Sequence, residues 1–369
     1  MKIQPESATK TANIIIDFFS NIDRIDDYFR LRKIERVKNL PAPIPGFGLE
    51  DDMFQNYDMH PEDMDIEVAQ IDNQTFNAML EKVASFSPDQ APGKELKLVV
   101  KEKNTNTLLG FIKLGSPIIN SKPRNNYLGD VPELTIFNQR AIMGFVIVPV
   151  QPFGYNYLGG KLMALICTSH KVREMLNDKY DTEFCLFETT SLYGNIKGMS
   201  MYDGLKPFLR FKGDTESKFV PTLGEEAYAS CKKIIEDDVQ DDIIHKTASS
   251  RKLKITSKMI SLIKSSLKET DMELHDKFVS AIKKAESVTT QKRFYMSDYG
   301  YENTRDVLLG KTETLIKGPN YHKHDLENII SWWKRKASSR YNKLKSEDRI
   351  REELEVWNAD TMNKIDIIR

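Results

Sequence analysis

The chain has little cysteine: Cys167, Cys185 and Cys231 are the only three in 369 residues. An odd number without metal-like spacing gives neither a disulfide framework nor a zinc site. The three read as reduced thiols in a cytoplasmic setting. No apolar run approaches the roughly 18 residues that would cross a bilayer, so no membrane span is expected. No basic stretch leads into an apolar one at the start, so no secretory signal is expected either. A G-x-G-x-x-G turn opening a first strand–helix unit is missing, which excludes a standard dinucleotide fold. There is no internal repeat and no low-complexity tract. Net charge is missing too, since 54 Lys and Arg balance 54 Asp and Glu.

That balance hides an asymmetry. Residues 50–72 hold nine acids, from Glu50 to Asp72, and no Lys or Arg. Asp237, Asp238, Asp241 and Asp242 form a second acidic run. From Lys246 to Lys345 there are 22 Lys and Arg against 11 Asp and Glu. An excess of that size suits a polyanion partner, and equally a set of solvated helix faces.

A hydrophobic fraction of 40% and this length are enough for a sizeable core in two units. Spaced apolar residues from Ile14 to Leu31 predict one or two amphipathic helices. Residues 40–48, rich in Pro and Gly, predict a linker or extended arm. A helix is expected near Asn73–Phe86. Leu96–Val100 and Leu108–Leu114 alternate about Asn104–Asn106 and predict a β-hairpin. Pro123–Asp130 reads as a loop, and Leu134–Ala141 as a short helix or strand. Phe208–Phe211 reads as a short strand and 212–218 as a loop. Residues 223–288 read as helical, Arg293–Met296 as a strand and Asn303–Leu309 as a helix. Asp325–Trp357 reads as a long helix or helical pair. The whole implies an α/β or α+β domain with helical N- and C-terminal extensions. The expected divisions are 1–48 (helices and Pro-rich arm), 49–218 (core), 219–290 (helical insertion), 291–310 (closing strand) and 311–369 (basic helical region).

Specific chemistry gathers between Phe145 and Phe211. A strand, Gly144–Val150, runs through Gln151-Pro152-Phe153-Gly154-Tyr155-Asn156-Tyr157-Leu158-Gly159-Gly160 into a helix. Such a turn can point the N–H groups of residues 154–161 at one phosphate or pyrophosphate. A second strand, Phe184–Thr189, carries Glu188 in an apolar run. Glu188 is a candidate general base with a raised pKa, or an anchor for a neighbouring loop. Then Asn195, Gly198 and Tyr202 follow at intervals of three and four, with Leu205 and Phe208 after them.

This order resembles the GCN5-related N-acetyltransferase superfamily. There a hairpin precedes a central strand, a Gly-bearing turn holds the pyrophosphate of acyl-coenzyme A, and a later Asn/small/Tyr motif follows. The resemblance implies a mixed central sheet with flanking helices. It implies acetyl-CoA or another acyl-CoA as cofactor, with Val148, Val150, Gln151, Gly154, Asn156, Gly159, Gly160 and Asn195 as its binding residues. It also implies Tyr202 as the acid that protonates the departing thiolate, and N–H donors near Phe145–Val148 for a developing oxyanion. Phe145–Val150, Leu158–Met163, Lys179-Tyr180 and Leu186–Thr189 resemble, more narrowly, the core domain of the Druantia anti-phage protein A family. The segment is also similar to the phage Mu Mom protein, which modifies adenine in DNA. These resemblances cover roughly residues 95–310 and imply a phage-related function on nucleic acid.

Two segments mix aromatics with cations, as nucleic-acid contacts do. They are Lys292-Arg293-Phe294-Tyr295 and Trp332-Trp333-Lys334-Arg335-Lys336 with Arg340. DNA is the expected partner ahead of RNA. The competing reading packs the tryptophans inward and leaves the charges to water. His322 and His324, one residue apart, read as a surface loop, with no acid or thiol nearby to complete a metal site. Two further readings stand beside the modifying enzyme: a non-catalytic nucleic-acid-binding protein that keeps the fold, and a protein or small-molecule N-acyltransferase.

Overall fold

The computed structural model describes residues 2–38, 50–86, 93–191, 194, 198–215, 222–239, 243, 251–288 and 292–367. The chain divides into two compact units. The first is Met1–Asn39, Ser217–Thr290 and Met362–Arg369, and the second is Leu40–Glu216 and Gln291–Thr361.

The first unit is helical. It contains α1 (Pro5–Ser20) and α2 (Ile25–Lys38) from the start of the chain. Three more helices from the middle join them: α9 (Glu225–Val239), α10 (Arg251–Thr270) and α11 (Met272–Ser287). Ala8, Ala12, Ile15 and Phe19 repeat at helical spacing and bury one stripe of α1. Cys231, Ile235, Met259, Ile263, Phe278 and Ile282 supply matching buried positions on the later helices. Arg30 donates to the carbonyls of Met362 and Ile365, each at 2.8 Å, which ties the last residues to this unit.

The second unit is built on a seven-stranded sheet in the order β1-β2-β3-β4-β5-β7-β6. The strands are β1 (Ile66–Gln70), β2 (Glu95–Glu102), β3 (Thr107–Gly115), β4 (Ala141–Pro149), β5 (Leu186–Ser191), β6 (Arg210–Asp214) and β7 (Arg293–Ser297). Only β4 and β5 pair in parallel; every other neighbouring pair is antiparallel. The helices are α3 (Asn73–Val83), α4 (Lys122–Leu128), α5 (Leu134–Arg140), α6 (Phe153–Tyr157), α7 (Gly159–Cys167), α8 (His170–Tyr180), α12 (Thr304–Leu308) and α13 (Leu326–Ser346). Asp72 caps α3 by accepting from the Thr75 amide at 2.9 Å. All but Lys161 of α7 is buried, so this helix runs through the core rather than over it.

The mixed α/β character, the hairpin and most elements follow the sequence reading. Three elements depart from it. Lys122–Leu128, read as loop, is a helix ended by Gly129 in the left-handed conformation (φ 87°). Its proline sits in the first turn, where the missing N–H costs nothing. The strand read at Phe208–Phe211 starts two residues later and runs into the expected loop, forming β6 on the outer edge of the sheet. Helix α13 ends at Ser346, and 347–357 continues as an irregular strap.

Candidate functional site

The parallel pairing of β4 with β5 is short. It runs from Ala141↔Leu186 to Gly144↔Thr189 and stops. Phe145 is an extra residue in β4, because Leu114 faces Gly144 while Lys113 faces Val146. A bulge bends a strand and increases its twist, so β4 leaves β5 at this point. Beyond it, β5 keeps only β7 as neighbour and β4 keeps only β3 among the described residues. Gly160 of α7 lies close to this opening. A Cβ there would come 2.7 Å from the Met201 sulfur and 4.0 Å from Pro149 at the end of β4.

The turn from β4 to α7 is largely occupied by its own chain. Gly154 N–H donates to Val150 O at 2.8 Å, and Asn156 N–H to Pro152 O at 2.9 Å. Tyr155 N–H donates to the Gln151 side chain at 3.1 Å. Lys161 N–H donates to Leu158 O at 3.0 Å. The N–H groups expected to form a pyrophosphate cradle are thus mostly spent in α6 and its junction with α7. Gly159 is required by packing, since a Cβ would meet the Phe153 ring at 2.6 Å.

The expected cofactor residues hold the strap instead. The buried Asn156 amide donates to Arg351 O at 2.7 Å and accepts from Arg351 N–H at 3.1 Å. Gln151 O accepts from Glu355 N–H at 3.0 Å. Val148 is paired with Phe111, and buried Val150 donates to Leu109 O at 2.9 Å. Tyr157 is fully buried, stacked on Phe153 and Tyr341, with its hydroxyl donating toward the carbonyls of Tyr57 and Met59. Asn195 lies outside the described residues.

Tyr202 and Glu188 sit on opposite faces of the sheet. Successive residues of a strand point to opposite sides, so Glu188 and Thr189 diverge. Thr189 donates to Gly144 O at 3.0 Å and bonds the Tyr202 hydroxyl. Tyr202 is buried in a turn, edge-on to Tyr295 at 5.3 Å. Burial pushes its phenol well above the ordinary value. Next to it, Asp203 accepts from Ser200 N–H (2.9 Å), Tyr295 Oη (2.8 Å) and Arg293 Nη2 (3.2 Å). Burial works against the charge on Asp203, but these bonds hold the carboxyl below its usual range.

On the other face Glu188 is closed in an ion pair. Arg124 Nη1 approaches both carboxylate oxygens, at 3.0 and 3.1 Å, and both side chains are fully buried. Arg124 also donates to the carbonyls of Ile118 and Ile119 and lies 4.0 Å over the Phe137 ring. Burial pushes the Glu188 carboxyl up to about 7, against the pull of the guanidinium. The pair ties helix α4 to the sheet through a guanidinium rather than through backbone N–H groups.

The cationic segments divide in the same way. Trp333 is fully buried, with Nε1 donating to Tyr157 O at 2.9 Å. Trp332 is half-buried, edge-on to Phe208 at 5.8 Å. Lys334 reaches Glu62 O at 2.8 Å. Arg335 and Lys336 are exposed, and Arg340 is partly exposed. Arg293 is taken up by Asp203, and burial lowers the Lys292 ammonium.

Arg124, Asp203, Tyr155, Arg349 and Arg351 matter here and were not singled out in the sequence. Arg124 fell in a supposed loop, and the last two in a supposed helix, so no periodicity pointed to them. His170 begins α8, and His324 is buried, not in a surface loop, with Nδ1 2.7 Å from Thr168 O. All three cysteines are free and buried. A polar cavity of about 400 Å³ lies between residues 55–58, α13 and the strap, with Tyr57, Tyr341, Lys345 and Asp348 on its walls. Among the described residues no cluster of His, Cys, Asp or Glu could hold a metal ion, and no helix is long and apolar enough to cross a membrane.

Neither a curated protein nor a solved structure matches the chain. Residues 47–200, which carry β1 to β5 and the parting of β4 from β5, match the family model of Druantia protein DruA, and that stretch is similar to DruA.

Proposed function

We propose that this chain is a DruA-like nucleic-acid-binding protein of anti-phage defence, and that its second unit engages DNA along α13. The observation that carries this reading is the cation set on that helix. Arg335, Lys336 and Arg340 have no carboxylate partner among the described residues, while neighbouring Trp333 and Ala337 fix the helix to the core. Cations held in place without counter-charges attract phosphate. The experiment is a fluorescence-anisotropy titration of duplex and single-stranded DNA over a salt series. Binding should weaken steeply with salt, and Arg335→Gln with Lys336→Gln should lower the log–log slope by about 2, near 0.9 per phosphate contact. Absent or salt-independent binding sinks the reading.

A second reading, an acyltransferase acting on nucleic acid, is supported by the parting of β4 and β5. Tyr202 and the start of α7 lie on the same side of that opening. Acetyl-CoA or another acyl-CoA would be the donor, with Gly159, Gly160 and β4 as its contacts and Tyr202 as proton donor. Mostly spent turn amides and Glu188 on the far face count against it. Calorimetry with acetyl-CoA separates the two readings: no heat of binding, and no change in any transfer activity on Tyr202→Phe, leaves only the first.

A further inference from the structure

Three guanidinium groups converge on Tyr155, in the turn between β4 and α7. Arg351 places its guanidinium carbon 3.9 Å from the ring centroid, and Arg340 places its own at 4.7 Å. Arg349 Nη2 donates to the Tyr155 hydroxyl at 3.2 Å, and Arg340 Nε reaches the Tyr155 carbonyl at 3.4 Å. The arginines come from two stretches of chain, α13 and the strap. Their positions are fixed by backbone bonds: Arg351 by the Asn156 amide, and Arg349 by its N–H on Leu344 O at 2.8 Å.

Like charges gathered around one ring repel one another. Some relief is built in. Glu347 lies 2.7 Å from Arg349, and Glu355 lies 3.4 Å from Arg351. Arg340 has no such partner among the described residues, nor has Lys336 one turn before it. Lys161, first turn of α7, is close enough to Lys336 that burial and then this neighbour pull its ammonium pKa down. Asp203, the acid that acts on Lys161, is already bound to Arg293 and Tyr295. Five cations, Lys161, Lys336, Arg340, Arg349 and Arg351, thus stand against Glu347, Glu355 and an Asp203 already paired with Arg293.

We propose that Tyr155 with Arg340, Arg349 and Arg351 is a clamp for a phosphodiester group of a nucleic-acid backbone. The inference rests on the nucleic-acid reading above and extends its cation set from α13 onto the strap. The ring is already covered by guanidinium planes, so it serves as their platform rather than as a base-stacking surface. Stacking uses the face of a guanidinium and leaves its edge N–H groups for a phosphate. Arg349 and Arg351 are exposed and their edges reach solvent.

The test uses the full chain with a labelled 20-mer DNA duplex over a salt series. Arg349→Gln with Arg351→Gln should weaken binding about tenfold near 0.1 M salt and lower the slope by about 1–2. Lys264→Gln with Lys268→Gln, an equal loss of charge on α10, should leave both within about twofold. Equal losses in the two double variants, or none in the first, overturn the clamp while the nucleic-acid reading stands. No DNA binding by the unaltered chain overturns both. A free nucleotide offers the same phosphate chemistry, so 3′,5′-ADP is titrated in parallel. Loss of 3′,5′-ADP binding in the Arg349/Arg351 variant with DNA binding intact would assign the arginines to a small nucleotide and overturn the backbone clamp.

Discussion

On one side of β5 a carboxylate is sealed from water with its own counter-ion; on the other, one residue further on, polar groups continue into a half-open cluster. Glu188 and Arg124 form the first arrangement, and Thr189, Tyr202, Tyr295, Asp203 and Arg293 form the second. The sealed pair joins helix α4 to the sheet, and both side chains are fully buried. The second cluster is graded, from a fully buried phenol to a partly exposed ion pair, and lies beside Gly160 and Met201 at the start of α7. Two candidate catalytic groups from one sequence stretch therefore cannot act together on one substrate atom.

The sharpest way to break this contrast is Arg124→Met. Removing one member of a buried pair should cost about 3–5 kcal/mol, and adding Glu188→Leu should recover most of it. Thermal unfolding followed by circular dichroism reads both; a loss under about 1 kcal/mol would mean that water reaches Glu188. The pH dependence should have opposite signs on the two faces. The Glu188 carboxyl is raised from 4.5 to about 7 in the folded chain. Its contribution is therefore fully present below about 4.5 and lost as pH rises through 7. Glu188→Gln should flatten this part of the Tm profile. Asp203 is lowered, so its contribution is present above its unfolded value and lost as pH falls through the folded one. Asp203→Asn should flatten the acid limb and leave the range from 5 to 7 unchanged. The smallest effect is expected for Tyr202→Phe, about 1 kcal/mol for its bond to Thr189. A much larger loss would show that the phenol organises the whole cluster.

The elements were legible where one physical rule governs a long segment. The alternation of β2 and β3, the stripe of α1 and the apolar strand at Gly144–Val150 each declare themselves locally. Helix α4 did not, because Pro123 reads as a breaker until it is seen to stand in a first turn. The site was half legible. Glu188 was conspicuous as a charge in an apolar strand, but its partner Arg124, 64 positions away, has no local signature. Asn156 shows the same limit. Its polarity in a turn is compatible with a ligand, a cap or a strap, and only the distant Arg351 backbone decides. The tryptophans followed helical geometry: Trp333 took the row of Ile329, Ala337 and Tyr341 and went inward, while Trp332 stayed at the margin.

Strands β6 and β7 are antiparallel neighbours, with Asp214 facing Arg293 and Thr215 N–H bonded to Lys292 O at 2.8 Å. Thr215 and Lys292, the described residues on either side of the intervening segment, are thus already side by side. A tight turn of two to four residues could close the same pair of strands. Conversely, residues 47–200 alone would lack β7, which lies against β5, and would leave that strand's edge bare. A gene fragment that joins 50–215 to 292–361 through such a turn keeps every strand of the sheet, whereas one cut at the boundaries of the DruA match does not.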